Sequence, residues 1–549
     1  MKSHFTCQRT IAGLATMLLM ATLASSQRFP GIIDVADISG PSLVAFGESP
    51  GDQLRVLGTG DFNGDGLNDI LLGTPSGDGP DNQRINAGNA YILFGTPNGI
   101  PPRDFGDPDE LRPDVVFFGA ETEDSMGTSA ATGDINGDGI DDIIIGAPNA
   151  DGPGNARENA GEVYIFFGSR DLVVGTTRDV AGAFGEGPDI TILGEDRNDG
   201  LGASEALGDV NHDGSVDLII GAPGTFGPNN TRAAAGTVYV IFGEPRLRTG
   251  GLIDLRDPVA GADMLIHGTD PGDRIGFAVK AGDLNDDRVD DIVFSAPTAD
   301  GPANLRQDAG EVYVLFGHTN LGNPPMRDLA DVFGPGADLT IYGQDSRDTL
   351  GASLAIGDVS GDQVKDLVVA AAGTSVAGGA DGPGNARLNA GEVTVILGSQ
   401  TLRFEGTRDI AAQVGRPADL TIFGADAGDQ FGFSLTLGKL SGDDIDDLVI
   451  GAPGADGAGN QRMNAGEVYV IFGGVRLFDG LPRDIAEQVG PGADLTLLGP
   501  VIGANFGTTV AVAEVDNDQF PDLLIGAPFV NGPDNLRPTS GAAFVISEK

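Results

Sequence analysis

An acidic nine-residue segment that recurs along the chain constrains the fold more than any other feature. Its clearest copy spans residues 134–142, DINGDGIDD, with oxygen-bearing side chains at positions 1, 3, 5 and 9. An apolar run and Gly146-Ala147-Pro148 follow directly. Copies of the segment start at Asp61, Asp134, Asp209, Asp283, Asp358, Lys439 and Glu514. Units of about 75 residues therefore fill nearly all of the chain, which indicates a repeat architecture without a separate linker.

Each unit holds four short apolar segments that are bounded by Gly, Asp or Pro. In unit five they span residues 338–343, 350–357, 366–370 and 391–398. Their length and their bounding residues are typical of strands rather than helices. The sequence therefore predicts an all-β fold, a seven-bladed β-propeller of four-stranded antiparallel blades. A linear β-solenoid is the alternative, but it would need much shorter repeats.

The two ends of the repeat region indicate how the ring closes. Residues 42–47, SLVAFG, match the first strand segment of unit five, and the last unit ends on the strand segment 542–546. If that first segment is the outer strand of the preceding blade, residues 42–46 complete the last blade. We therefore expect the N-terminal strand to close the ring, which removes an open sheet edge.

The N-terminus resembles a secretory signal. Lys2 and Arg9 are basic, residues 11–23 are apolar, and Ala24 begins a small-residue stretch. Such a segment is too short to span a bilayer. We predict a signal peptide over residues 1–26, with an uncleaved anchor as the alternative, and a propeller over residues 32–549. The mature chain is then secreted, extracellular or at a cell surface, has no membrane span, and lacks the single cysteine, Cys7.

The charge of the chain limits its partners. The formal net charge is -48 and the isoelectric point is about 4.1. A chain this acidic repels phosphates, which argues against nucleic acid and anionic membrane. The acidity favours cation binding or saline, extracellular surroundings.

The acidic segments predict calcium loops. Calcium binds six to eight oxygen atoms, and side chains at positions 1, 3 and 5 of a tight loop can converge on one ion while position 9 closes the site. An EF-hand is excluded because position 12 is an apolar strand residue, Ile145 or Leu72. Hairpin turns rich in Asp and Asn, without metal, are the alternative. Clustered carboxylates without a cation would repel one another, so we expect about five to seven bound Ca²⁺ ions.

The predicted ligands come from all seven loops, but unit six has Lys439 at its first position, and we expect weak or no binding there. The ligands are Asp61, Asn63, Asp65, Asp69, Asp134, Asn136, Asp138, Asp142, Asp209, Asn211, Asp213, Asp217, Asp283, Asn285, Asp287, Asp291, Asp358, Ser360, Asp362, Asp366, Asp443, Asp447, Glu514, Asp516, Asp518 and Asp522.

A second repeated feature places one arginine per unit in the loop between the second and third strands. The arginines are Arg84, Arg157, Arg232, Arg306, Arg387, Arg462 and Arg537. The links between blades carry Asp52, Asp124, Asp199, Asp273, Asp348 and Asp429, with Asn505 in the last unit. Strand parity puts both sets on the face opposite the acidic loops. The two interpretations are structural Arg–Asp pairs between neighbouring loops and a ligand-binding surface.

The motifs around the acidic loops resemble a known family. Phe431-Gly432 and Phe506-Gly507 precede acidic loops that end in Gly451-Ala-Pro453 and Gly526-Ala-Pro528. These residues resemble the FG-GAP repeat of integrin alpha-chain propellers. Units four and five depart from it at residues 295–297, SAP, and 371–373, AAG. The resemblance implies a seven-bladed propeller with calcium between the first and second strands.

The function that we expect from the sequence is adhesion. The resemblance implies a calcium-binding module for extracellular protein or glycan ligands. We find no catalytic set around His212, His267 or His318. The same repeat occurs in a phospholipase D whose catalytic domain is separate and for which this chain has no room, so we expect no enzymatic activity. The alternatives are a polysaccharide lyase or hydrolase on a propeller scaffold and a self-assembling surface-layer component.

Overall fold

The structure is a computed structural model that describes most of the repeat region. The described residues are 31–36, 43–107, 112–243, 245–330, 336–373, 379–479, 482–486 and 492–547. The predicted signal segment, residues 1–26, lies outside them, so its cleavage stays a prediction.

The described residues form seven β-sheets of five strands each, which we number as blades one to seven from residue 55 onwards. The first strands are Arg55–Gly60, Ser129–Gly133, Ser204–Gly208, Val279–Gly282, Ser353–Gly357, Ser434–Gly438 and Thr509–Ala513. The second strands are Asp69–Thr74, Asp142–Ala147, Asp217–Ala222, Asp291–Ala296, Asp366–Ala371, Asp447–Ala452 and Asp522–Ala527. The third strands are Asn89–Leu93, Glu162–Phe166, Thr237–Ile241, Glu311–Leu315, Glu392–Ile396, Glu467–Ile471 and Ala542–Ile546.

The outer part of each blade contains two more strands. The fourth strands of blades one to seven are Val115–Phe118, Ile190–Leu193, Met264–His267, Leu339–Tyr342, Leu420–Phe423, Leu495–Leu498 and Leu43–Phe46. The fifth strands, in the same order, are Thr176–Asp179, Gly251–Asp254, Met326–Asp328, Thr407–Asp409, Arg483–Asp484, Ile32–Asp34 and Arg103–Asp104.

The seven-bladed propeller is confirmed, but the prediction of four antiparallel strands per blade is wrong in number. The first four strands pair antiparallel, and the fifth pairs parallel with the fourth. The fifth strand of each blade precedes the fourth strand of the next blade in the ring and, except for Ile32–Asp34 in blade six, lies in the link between the third and fourth strands of that next blade. It is only two to four residues long and pairs with another blade, so no local alternation pattern marks it.

Ring closure by the N-terminal strand is confirmed. Residues 43–46 pair antiparallel with residues 542–545 of the third strand of blade seven. The first strands contact one another around the ring, including blade seven with blade one. Seven apolar clusters fill the spaces between neighbouring blades. Because both faces of a blade are covered, the second strands are buried along their whole length, as in Asp142–Ala147.

Short 3₁₀ turns complete the structure. One lies between the second and third strands of every blade, at Pro80–Asn82, Pro153–Asn155, Pro228–Asn230, Pro302–Asn304, Pro383–Asn385, Ala458–Asn460 and Pro533–Asn535. Three more follow third strands, at Pro245–Leu247, Leu402–Phe404 and Val475–Phe478. In the described part of the chain, no helix has the length and apolar character needed to cross a membrane.

Candidate functional site

Each acidic segment connects the first and second strands of a blade, as predicted, and in all blades but blade six a carboxylate at its first position fixes the turn. In blade two, Asp134 Oδ1 accepts the backbone N–H of Gly137 at 2.6 Å and of Asp138 at 3.0 Å, and Oδ2 accepts that of Gly139 at 2.8 Å. Gly137 and Gly139 have φ angles of 79° and 86°, which suit glycine. One carboxylate thus holds the whole turn closed.

The aspartate at position 9 connects the loop to the rest of the blade. Asp142 is fully buried, and its Oδ2 accepts the backbone N–H of Ile135 at 3.0 Å. Its Oδ1 accepts that of Gly168, just after the third strand, at 2.8 Å. Burial raises the pKa of Asp142 to about 7. A bound cation would favour the charged form of such a carboxyl group. The acidic segment alone does not predict this anchoring role, but the glycine after the third strand, which repeats in most units, is a signal for it.

The remaining loops follow the same scheme. The carboxylate at position 5 accepts the backbone N–H of position 7 in all seven loops, at Asp65, Asp138, Asp213, Asp287, Asp362, Asp443 and Asp518. Position 9 is buried throughout, at Asp69, Asp142, Asp217, Asp291, Asp366, Asp447 and Asp522. In blade six, Lys439 Nζ lies 3.9 Å from Asp444 Oδ1. The structure thus gathers each predicted ligand set within one loop.

The loop of blade seven brings its carboxylates closest together. Glu514, Asp516 and Asp522 each present an oxygen within 4.8 Å of the others, and no other His, Cys, Asp or Glu trio does so among the described residues. Asp518 is outside this trio. Glu514 Oε2 is buried without a hydrogen-bond partner, as is Asn285 Oδ1 in the loop of blade four. Buried, unsatisfied oxygen atoms in an acidic loop fit a hard cation such as calcium.

Neighbouring acidic loops are joined in pairs. The backbone N–H of Asp61 donates to Asp141 Oδ2 in the next loop at 3.0 Å. The same bond joins Asp209 to Asp290 and Asp358 to Asp446. We call the face of the ring that carries these loops the acidic face, and the one that carries the loops between second and third strands the arginine face.

The repeated arginines form structural pairs, but the predicted partners are wrong. Arg84 Nη1 lies 2.6 Å from Asp179 Oδ1, and Arg306 Nη2 lies 2.7 Å from Asp409 Oδ2. These aspartates end the fifth strands. All seven pairs follow this rule: Arg84–Asp179, Arg157–Asp254, Arg232–Asp328, Arg306–Asp409, Arg387–Asp484, Arg462–Asp34 and Arg537–Asp104. The arginine therefore clamps a strand from the next blade onto its own blade.

The aspartates in the blade links have a different role. Asp124 is buried, and its Oδ2 accepts the backbone N–H of Glu121 at 3.0 Å, which closes a turn. Burial raises its pKa to about 7. The equivalent residue of blade seven is Ala504, whose backbone N–H donates to the carbonyl of Val501 as in most of the other links, so the prediction of Asn505 at this position is wrong.

A sequence signal for the arginine clamp exists. The dipeptide Arg-Asp recurs in the links before fourth strands, at residues 103–104, 178–179, 327–328, 408–409 and 483–484. Its aspartate pairs with the repeated arginine of the preceding blade. Its arginine pairs with the aspartate before the fourth strand of its own unit, as Arg408 Nη1 does with Asp419 Oδ2 at 2.6 Å. Each dipeptide thus contacts two blades.

Comparison with known families agrees with this geometry. The model of the FG-GAP repeat matches residues 55–93, 126–166, 201–241, 431–471 and 506–545. These ranges are the first three strands of blades one, two, three, six and seven. This chain is an FG-GAP repeat protein. Its propeller is integrin-alpha-like, and blades four and five, which lie outside these five ranges, contain the departures at Ser295 and Ala371.

Individual relatives of this FG-GAP repeat protein belong to two groups. The phosphatidylinositol-glycan-specific phospholipase D of Rattus norvegicus is 26% identical over 84% of this chain and 51% of its own length. The Mus musculus protein of that name is 26% identical over 72% of this chain and 43% of its own length. Integrin alpha pat-2 of Caenorhabditis elegans is 30% identical over 47% of this chain and 19% of its own length. The chain spans about half the length of the phospholipases that it matches.

These relatives correct two expectations. The phospholipases are named as enzymes and match far more of this chain than the integrins do. The predictions of an adhesion module and of no enzymatic activity are therefore wrong. The physical reason is that one propeller scaffold serves receptors and enzymes alike, so the repeat pattern by itself cannot separate them.

Proposed function

We propose that this chain acts in the hydrolysis of phosphatidylinositol-glycan, as the propeller of a phospholipase D-type enzyme. The observation that supports the proposal is the similarity to phosphatidylinositol-glycan-specific phospholipases D over 72–84% of the chain. In such a hydrolysis, a water oxygen forms the new bond to phosphorus, and the head-group oxygen leaves with a proton.

Vesicles that carry a glycan-anchored reporter protein test this function. The purified chain is incubated with the vesicles, and soluble reporter and phosphatidic acid are measured. We expect both products to appear together. If the chain stays on the vesicles without releasing the reporter, hydrolysis by this chain is overturned, and its role in the reaction is limited to substrate binding. If the chain neither releases the reporter nor stays on the vesicles, the whole proposal is overturned.

We propose further that calcium occupies the acidic loops, with about five to seven ions in all. The residues that would hold it are those at positions 1, 3, 5 and 9, and the unsatisfied oxygen atoms of Glu514 and Asn285 support the assignment. The ion would neutralise carboxylates that otherwise repel one another across each hairpin. Its role here is structural. The chain would then work in a calcium-containing, extracellular setting.

Thermal unfolding with calcium and with a chelator tests the loops. Each occupied site stabilises the folded chain by mass action, by about 2.7 kcal/mol when the free ion is at 100 times its dissociation constant. We expect a large upward shift of Tm in calcium and a smaller one in magnesium, which prefers rigid octahedral sites. Equal Tm values in calcium and chelator would contradict calcium binding.

A further inference from the structure

Blade three contains a cavity that the propeller repeat does not explain. It has a volume of about 300 Å³ and lies on the arginine face. The link Glu195–Asp199, the turn Pro228–Asn230 and the strand residues Tyr239 and His267 border it. Ligand sites for small molecules span roughly 300–1,000 Å³, so this cavity suits one small ring.

The cavity lies where four other blades have a glutamate side chain. Blades two, four, five and six begin their third strand with glutamate, at Glu162, Glu311, Glu392 and Glu467, where blade three has Thr237. In blade two, Tyr164 donates its hydroxyl hydrogen to Glu162 at 2.8 Å. In blade three, Tyr239 donates instead to Glu195, at 3.1 Å, across the opening. The shorter threonine leaves empty the space that the glutamate side chain takes elsewhere.

One wall of the cavity offers neutral hydrogen-bonding groups. Thr225 Oγ1 lies 2.6 Å from Thr237 Oγ1, which lies 3.0 Å from His267 Nδ1. His267 is 6% exposed, and burial lowers its pKa to about 4, so its ring is uncharged at neutral pH. A neutral imidazole and hydroxyl groups suit the alcohol groups of a sugar.

The opposite wall is acidic. Asp196 is already paired, because Arg256 donates to its Oδ1 at 2.8 Å and Asn230 to its Oδ2 at 2.9 Å. Glu195 accepts the Tyr239 hydroxyl through Oε2, and no described residue donates to its Oε1. Glu195 Oε1 is therefore the acceptor that this wall offers to a cationic group of a ligand.

Apolar side chains complete the cavity. Phe226 is 37% exposed and Met326 is 48% exposed, and both line it. Phe226 stands where the loops of most other blades have an aspartate, such as Asp151. An aromatic ring beside hydrogen-bonding groups can pack on the C–H face of a sugar ring and attract a nearby ammonium group.

We propose that this cavity binds an amino sugar, with its ammonium group beside Glu195 and its hydroxyl groups on Thr237 and His267. The inference rests on the proposed function, because it assigns the cavity to the glycan part of that substrate. A neutral hexose would lose the charged contact, and an N-acetylated sugar would lose the charge and add bulk.

Calorimetric titration of the full chain with glucosamine, glucose and N-acetylglucosamine tests the site. A hydrogen bond to a charged group strengthens binding by at least about tenfold, so we expect glucosamine to bind at least about tenfold more tightly than either other sugar. Glu195→Gln should weaken glucosamine binding by about tenfold. Thr237→Glu should abolish it with an unchanged Tm, because it introduces the glutamate that four blades already contain. Glu48→Gln, at the equivalent position before blade one, is the control and should leave binding unchanged.

The outcomes separate this inference from the proposed function. Equal binding of glucose and glucosamine, or full glucosamine binding by Thr237→Glu, would overturn the amino-sugar site. Reporter release from vesicles without glucosamine binding would support the proposed hydrolysis and overturn the amino-sugar site. Selective glucosamine binding without reporter release would support the amino-sugar site and overturn the proposed hydrolysis.

Discussion

At the scale of single residues, the arginine clamps fix neighbouring blades to each other. Arg306 pairs with Asp409, which is fully buried, and also donates to the carbonyl of Gly343. The aspartate accepts further bonds from the backbone N–H groups of Ala411 and Val414. A buried, charged carboxylate is stable only while it is paired. Removing its partner therefore destabilises the fold, because an unpaired charge remains buried.

We expect Arg306→Ala to lower the free energy of unfolding by about 3 kcal/mol, because it leaves the buried Asp409 charge without its guanidinium. Chemical denaturation measures this change. Arg197→Ala is the matched control, since its pair with Glu158 is exposed and should contribute about 0–1 kcal/mol. Equal, small effects of both substitutions would contradict the clamp.

The buried link aspartates make stability depend on pH. Burial raises the folded-state pKa of Asp124 from 3.8 to about 7. The group therefore favours folding below pH 3.8, and this contribution is lost as pH rises to about 7. Asp124→Asn keeps the acceptor for the Glu121 N–H. We expect its free energy of unfolding at pH 8 to exceed that of the native chain by about 1–4 kcal/mol, since one pKa unit corresponds to about 1.4 kcal/mol.

Thermal unfolding of the native chain and the Asp124→Asn variant at pH 4, 6 and 8 measures this gain. The difference should be smallest at pH 4, where the native carboxyl is protonated. Blade seven already folds with Ala504 at this position, so the carboxylate is not essential to the turn. A loss of stability of the variant that grows with pH would contradict the argument.

At the scale of elements, the acidic hairpin of blade six differs from the other six in the charge of its first residue. Lys439 occupies position 1, where the other loops have a carboxylate. The rest of the loop is intact, since Asp443 accepts the Ile445 N–H at 3.0 Å and Asp447 accepts the Ser441 N–H. The ammonium group is thus the one feature of this loop that opposes a cation.

We expect Lys439→Asp to raise the number of bound calcium ions by one, because it restores the acidic ligand at position 1. Equilibrium dialysis with elemental analysis counts the ions. Lys365→Ala in the loop of blade five removes a lysine outside the ligand positions and should leave the count unchanged. An unchanged count in Lys439→Asp would show that position 1 does not decide binding.

At the scale of the whole molecule, stability depends on closing the ring. Residues 43–46 supply the fourth strand of blade seven, and Arg103–Asp104 pairs with that strand in turn. Without them the third strand, Ala542–Ile546, would present a free edge. A free apolar edge pairs readily with another molecule.

We expect a chain that begins at Glu48 to melt at a lower temperature and to self-associate, because blade seven loses its fourth strand and blade six loses its fifth strand. A chain that begins at Gly31 retains them and is the control. Calorimetry and light scattering measure the two properties. Equal melting and equal size of the two chains would show that closure contributes little.

The sequence by itself determined the features that depend on local patterns. The repeat of the acidic nonapeptide gave the number of blades, and strand segments with turn residues between them gave the all-β class. Matching the residue 42–47 segment to the repeat gave the closure. These predictions succeeded because a turn with glycine at fixed positions, or a strand buried on both sides, selects its residues wherever it occurs.

Only the tertiary structure decided what meets across blades. The fifth strands are too short to show a sequence pattern. The partner of Arg84 is Asp179, which belongs to the segment of the chain that forms the next blade. The cavity of blade three is lined by Thr237, which stands where four other blades have a glutamate. It also brings together His267 and Glu195, which are distant in sequence. Such contacts depend on how the sheets pack, and no local sequence rule specifies the distance between two blades.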